Sequence, residues 1–247
     1  MKKLTLIALL TASRLLANDI YATFNVKAVK EATLAFTAGG TVSNIIVDVG
    51  DTVTKGSILA SLENSEQKAT LALAKSDLEN AKISNQQSQS SYKRYKKIKK
   101  LIDAEKFEKI KYGASMTLTS LQKAKSSVAL RQAQLEKTQL KAPFDGVITQ
   151  KYKEVGDAVS GMQPVAFFKI MDMSTVKLII EFDEKYFKKV TLGATFTYRV
   201  DGSDEDFTAA IAKIHPTINA KTRKIKAEVI TKDLMPGLFG HGTIKVD

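Results

Sequence analysis

The hydrophobic positions change rhythm twice along the chain. From residue 20 to 62, Val, Ile, Thr and Phe recur in short runs, broken at turn spacing by Gly39-Gly40, Gly50-Asp51 and Lys55-Gly56. That pattern predicts strands. From Glu63 the character shifts. Between Asn64 and Gln139 there is no proline and one glycine, Gly113, while Ala, Lys, Gln, Ser, Leu and Glu dominate, a composition that favours helix. After Lys141 strand-like patterning returns and runs to the end, with all 4 prolines (Pro143, Pro164, Pro216 and Pro236) in this part.

Within the helical stretch, Leu71, Ala74, Leu78, Ala81, Asn85, Ser88, Tyr92, Tyr95 and Ile102 fall on alternating steps of three and four, with Lys99 as the charged exception. Phe107, Ala114, Leu121, Val128 and Leu135 then recur every seven residues. Continuing the first frame lands on Lys106 rather than Phe107, a phase break of one residue. Such a break is expected where one helix ends and another begins. It predicts a reversal at Lys99 to Asp103 and two antiparallel helices, each of about 37 residues and roughly 55 Å long. One long helix or a dimeric coiled coil has the same composition, but the strand segments on both sides favour the hairpin.

Those flanks resemble each other. Gly40-Thr-Val42 followed by Val49-Gly50-Asp51-Thr-Val53 matches Gly146-Val-Ile148 followed by Val155-Gly156-Asp157-Ala-Val159, with the glycines 10 residues apart in both copies. Each copy predicts a strand, a reversal and a Gly-Asp turn into the next strand. The glycines are expected to supply positive φ, and each Asp to bond backbone amides in its turn. Two such halves resemble the lipoyl and biotinyl carrier fold, a flattened β-sandwich whose modified lysine sits on the hairpin joining them. Here the helical stretch 64–139 occupies the joining point. No Met-Lys-Met or Asp-Lys tip remains, which argues against a prosthetic-group carrier.

Charge and composition narrow the function. A net charge of +12 admits nucleic acid, anionic lipid or acidic protein as partner. Cysteine is absent, which excludes disulfides, thiolate metal sites, cysteine nucleophiles and lipoprotein acylation. Lys2-Lys3 precede the apolar run Leu4 to Ala12, and Leu15-Leu16-Ala17 precede Asn18-Asp19. Although Arg14 interrupts the run, this predicts a secretory leader, 1–17, cut after Ala17. The run is far shorter than the ~20 apolar residues of a membrane span. Export to the periplasm removes nucleic acid from the partners. The 2 histidines, His215 and His241, are far apart in sequence, and His215 precedes Pro216 between two apparent strands. Asp183-Glu184 and Asp204-Glu205-Asp206 lack the alternating oxygen ligands of a calcium loop. The sequence therefore predicts no enzyme, no cofactor and no metal site.

In their order, four stretches are similar to the periplasmic adaptor (membrane fusion protein) family of RND-type tripartite efflux pumps. They are Gly40 to Leu62, including Gly56; Leu140 to Ile148; Thr222-Arg223 with alternating Ile225, Ala227 and Val229; and Leu234-Met-Pro236-Gly237-Leu-Phe239. The resemblance implies an α+β fold: a split lipoyl-like β-sandwich with an inserted long antiparallel α-helical hairpin, plus a small β-barrel domain. Expected bounds are 18–35 and 173–247 for the barrel, 36–63 and 140–172 for the lipoyl-like domain, and 64–139 for the hairpin. Many members add a membrane-proximal domain, which this chain is expected to lack.

By the same resemblance the function is that of an adaptor, joining an inner-membrane RND-type transporter to an outer-membrane channel. It would sit in the periplasm, held at the inner membrane through the transporter, and self-associate into a hexameric ring. A type I secretion adaptor and, further off, a lipoyl or biotinyl carrier subunit are the alternatives. The family meets its channel through an Arg, Leu, Ser signature at the hairpin tip. The residues carried over are Arg94, Ile98 in place of Leu, Leu101, and Asp103 near the Ser position. The alternation of Thr222 and Arg223 with Ile225 and Val229 predicts a strand with one buried face, and Arg223 is expected to anchor a polar contact near the lipoyl–barrel junction.

Overall fold

The computed structural model describes residues 19–246; the expected leader lies outside the described residues. In chain order the first strands are β1 (Ile20–Ala28), β2 (Glu31–Leu34), β3 (Gly40–Ile45), β4 (Thr52–Val53) and β5 (Ile58–Leu62). Two helices follow, α1 (Ser65–Lys97) and α2 (Ala104–Glu136). Then come β6 (Gln139–Lys141), β7 (Gly146–Lys151), β8 (Ala158–Val159) and β9 (Phe168–Met171). The chain ends with β10 (Val176–Asp183), β11 (Thr195–Val200), β12 (Phe207–Asn219), β13 (Lys224–Thr231) and β14 (Phe239–Ile244). Two compact units result: Ala32–Met171, and the segments up to Glu31 and from Asp172.

The first unit is a sandwich of two four-stranded sheets, β2-β9-β7-β4 and β6-β5-β3-β8, from which the helices project. Its core is apolar: Phe36, Val42, Leu59, Leu62, Ile148, Phe167, Phe168 and Ile170 are buried together. Ala32 and Leu34 pack against this core, so the strand Glu31–Leu34, which the sequence assigned to the barrel, lies in a sandwich sheet.

The repeat interlocks. The Gly50 amide donates to the Ile148 carbonyl at 2.8 Å, and the Ile148 amide to the Asp51 carbonyl at 3.0 Å. In the other copy Gly156 donates to Val42 and Val42 to Asp157, both at 2.9 Å. Val42 and Ile148 hold the same place in the repeat, so each turn is bonded to the strand of the opposite half. Within the turns, Asp51 Oδ2 accepts from the Asp48 amide at 2.8 Å and Asp157 Oδ2 from the Glu154 amide at 3.2 Å. Gly50 and Gly156 take φ of 97° and 95°, a left-handed backbone that only glycine adopts without steric cost.

Gly146 corrects the expectation of positive φ. It lies in β7 with ordinary strand geometry, and a Cβ there would stand 2.5 Å from the Met171 carbonyl oxygen. The requirement is close approach of β9. Gly146→Ala should therefore lower stability by about 1–3 kcal/mol through overpacking. Urea denaturation followed by circular dichroism measures this, and an unshifted midpoint would mean that β9 gives way freely.

The second unit is a closed barrel, β1-β10-β13-β12-β11-β14. Period-two burial puts Ile20, Ala22, Phe24 and Val26 of β1 inside with Val176, Leu178, Ile180 and Phe182 of β10 and Ile225, Ala227 and Val229 of β13. Phe24 meets Phe196 and Tyr198 edge-on at centroid distances of 6.0 and 5.4 Å. Gly240 and Gly242 make room for these rings, since a Cβ at Gly240 would collide with Phe24 and one at Gly242 with Phe196.

Thr222 and Arg223 were expected to open a strand. They lie instead in the turn before β13, where Asn219 Oδ1 accepts from the Lys221 and Thr222 amides at 3.0 and 3.2 Å. Arg223 closes the turn with φ 53°, its amide donating to the Asn219 carbonyl at 2.7 Å. The side chain is exposed. His215-Pro216 also departs from expectation by lying within one strand, at a register shift of β12. A ladder break is where a strand proline, lacking its amide donor, is tolerated. His215 Nε2 sits 2.7 Å from Glu228 Oε1.

Candidate functional site: the hairpin tip

The hairpin is rooted on paired strands. Ser61 of β5 faces Gln139 of β6, and the buried Asn64 and Thr138 join the two chain ends by an Nδ2 to Oγ1 hydrogen bond of 3.2 Å. Asn64 precedes α1 without capping it; the Glu63 carboxylate accepts from the Ser65 amide at 2.8 Å. The Ser65 hydroxyl, and after it this amide bond, holds the Glu63 carboxyl below its ordinary pKa.

Each helix has 33 residues, about 50 Å at 1.5 Å per residue. The reversal falls between Lys97 and Ala104 and contains the Lys99 to Asp103 stretch marked by the phase break. Leu71, Ala74, Phe107 and Ala114 are the buried seam residues. Between them the seam is polar: Gln89 Nε2 donates to the Ala114 carbonyl at 3.1 Å, and Thr117 Oγ1 lies 3.4 Å from Asn85 Oδ1.

The distal end is tied by short-range bonds. Tyr92 packs on Phe107 with centroids 6.0 Å apart, and Lys99 Nζ lies 5.0 Å above the same ring. This accounts for Lys99, the charged break in the heptad, since the chain leaves the seam there. The Ile98 amide donates to the Tyr95 carbonyl at 3.1 Å, and Leu101 to Ile98 at 2.9 Å within a 3-10 turn, Lys99–Leu101. Asp103 caps α2, its Oδ1 accepting from the Glu105 and Lys106 amides at 2.9 and 3.2 Å. Its neighbours Ala104-Glu105-Lys106 made this cap legible, though the sequence reading gave Asp103 only a partner-facing role. Asp103→Ala should cost about 1 kcal/mol and speed amide exchange in the first turn of α2; unchanged exchange would deny the cap.

The remaining tip residues point outward. Leu101 is 84% exposed and Ile98 43%. Arg94, on the last turn of α1, donates to Ser91 Oγ at 3.1 Å. Lys93, Arg94, Lys96, Lys97 and Lys100 precede Leu101 in sequence, and none has a carboxylate within ion-pair distance among the described residues. The tip thus combines an exposed apolar residue, Leu101, with a run of exposed cations on the last turns of α1.

The other predicted positions serve the frame. Gly40 of β3 faces Val159 of β8. The Gly56 amide donates to the Ala142 carbonyl at 2.8 Å, and Gly237, following Pro236, donates to the Val26 carbonyl at 2.9 Å. The Asn64–Thr138 clasp and the Gly240, Gly242 pair were missed; Gly-X-Gly inside a strand pattern was the one available signal.

Comparison with known proteins follows the same outline. A family model described as the CzcB-like barrel-sandwich hybrid domain matches residues 30–172. The cobalt-zinc-cadmium resistance protein CzcB of Cupriavidus metallidurans is 26% identical over 212 residues, 81% of this chain and 39% of that protein. An uncharacterized protein of Haemophilus influenzae is 25% identical over 192 residues, 77% of this chain and 47% of its own length. The chain thus spans less than half the length of these curated relatives. Among solved structures, a MacA-MexA chimera containing the Pseudomonas aeruginosa MexA α-hairpin matches with TM-score 0.75 and 18% identity, over 93% of this chain and 79% of that one. The membrane fusion protein Spr0693 of Streptococcus pneumoniae matches with TM-score 0.73 and 16% identity, over 92% of this chain and 99% of that one. At such identities the likeness concerns the fold.

Proposed function

Because the chain belongs to the CzcB-like barrel-sandwich hybrid family, we propose that it is a periplasmic adaptor of a tripartite efflux pump, bridging an inner-membrane RND-type transporter to an outer-membrane channel. The observation that supports this reading most is the hairpin. Two helices of 33 residues end in an exposed apolar residue preceded by a run of exposed cations, and the sandwich core contains no residue of either helix. Such a form suits reaching a distant partner. In this role Arg94, Ile98 and Leu101 touch the channel, Asp103 holds the turn, and the lysines steer encounter with an acidic channel end.

Self-association into a hexameric ring completes the reading. Ile46 and Val49 beside the first Gly-Asp turn are exposed, as are Tyr152 and Val155 at the equivalent places beside the second. Two like patches on one sandwich suit head-to-tail contact between copies, which generates a ring where the rotation between copies closes. Cells lacking the chain should lose survival under an efflux substrate, and cross-linked membranes should yield the chain with one inner- and one outer-membrane protein. Full survival without the chain, or adducts with neither membrane protein, would remove the adaptor role.

A further inference from the structure

The two ends of the barrel differ in charge. Where β1 leaves and β10 begins, the loops contain Asp201, Asp204, Glu205, Asp206 and Asp233 against Lys232, with Asp206 paired to Arg199 at 2.9 Å. At the opposite end, three segments come together: the β10–β11 connector, the β12–β13 turn and the residues after β14. The Glu184 amide donates to the Arg223 carbonyl at 3.0 Å, joining connector and turn, and the Lys245 amide donates to the Thr195 carbonyl at 2.9 Å. This end has Lys185, Lys188, Lys189, Lys221, Arg223 and Lys245 against Asp19, Asp183 and Glu184. Only Lys185 has a carboxylate within ion-pair distance, Asp183 at 3.9 Å, among the described residues.

The same connector displays large apolar side chains. Phe187 is 58% exposed and Leu192 67%. Lys188 Nζ lies 5.6 Å from the Phe187 ring centroid, and a cavity of about 600 Å³ is lined by Lys188, Lys189, Leu192 and Lys245. Unpaired lysines alone would suit any polyanion, and exposed Phe and Leu alone would suit an apolar groove. Both on one short connector match a surface that is anionic outside and apolar beneath.

We propose that this end of the barrel rests on an anionic phospholipid surface, its lysines against lipid phosphates and Phe187 and Leu192 in the headgroup region. The contact lies far in sequence from the hairpin tip and is independent of channel recognition. Chain purified from the periplasm is mixed with phosphatidylcholine vesicles, with and without phosphatidylglycerol, and the bound fraction is read by sedimentation. Binding is expected only to the phosphatidylglycerol vesicles, falling as salt rises. Lys188→Gln with Lys189→Gln should weaken it about thirtyfold, and Phe187→Ser with Leu192→Ser about tenfold, with circular dichroism unchanged in both. Lys96→Gln with Lys97→Gln at the hairpin tip should bind vesicles like the parent. Equal binding to both vesicle types, or a loss in the tip variant matching that in the barrel variant, would overturn the proposal. So would absence of vesicle binding with cross-linking of Lys188 to an inner-membrane protein, which would make an acidic protein the partner.

Discussion

Arg94→Ala is expected to abolish survival under an efflux substrate while leaving the chain folded, exported and associated with the inner membrane. Arg94 is exposed, and its recorded side-chain bond is to Ser91 on its own helix. An exposed substitution of this kind changes stability by about 0.5 kcal/mol or less. Most of the five guanidinium donors remain for a partner, and carbonyls at a helix end are suitable acceptors. As the anchor of a small contact, its loss should cost about 2–4 kcal/mol of channel affinity, or roughly thirty- to a thousandfold. Ile98→Asp and Leu101→Asp should act alike by placing an unpaired charge at an apolar position of the tip. Neutralising Lys96, Lys97 and Lys99 together should slow association and reduce its salt dependence with only partial loss of function. Full survival of Arg94→Ala would move recognition off this residue; loss of fold would give it a structural role.

The second large effect separates fold from function. Replacing the helices by a short glycine-containing turn between Asn64 and Lys137 should leave both units folded and remove function entirely. The sandwich core contains no residue of α1 or α2, and the chain ends at the root are already held together by the Asn64–Thr138 bond. Closing a short loop there costs little, since closure entropy changes slowly with length. Residues 32–63 expressed without 137–171 should not fold, because Gly50 and Val42 lose their partners Ile148 and Gly156 in the other half. Circular dichroism and NMR dispersion on the shortened chain decide the matter. An unfolded product would show that the hairpin is part of the core.

What the sequence disclosed follows from the range of each signal. The heptad positions Leu71 and Ala74 repeat along α1 and Phe107 and Ala114 along α2, so burial in each helix is a local period, and the phase break marked the turn at Lys99–Leu101. The Gly50 and Gly156 turns declared themselves through a repeated Gly-Asp pair. Gly146 and Gly240 did not reveal their reason, because each is dictated by distant neighbours: the Met171 carbonyl for one, the Arg199 carbonyl and the Phe24 ring for the other. Arg223 looked like the head of a strand because the alternation at Ile225, Ala227 and Val229 follows it without a break. The Asn219 side chain, which folds back over Lys221 and Thr222, holds these residues in a turn, so that β13 begins only at Lys224. Asn64 and Thr138 are polar residues at a helix boundary, where caps are common, and only their meeting across 74 positions makes them a clasp.

The central claim is that the distal end of the hairpin meets an outer-membrane channel. A photo-cross-linking residue placed at Leu101, the most exposed apolar position of the tip, tests it in living cells, with the same residue at exposed Leu130 near the root as reference. On irradiation, the account predicts an adduct with an outer-membrane protein from position 101 and none from position 130. An outer-membrane adduct from the root but not the tip, or tip adducts with inner-membrane proteins alone, would contradict it.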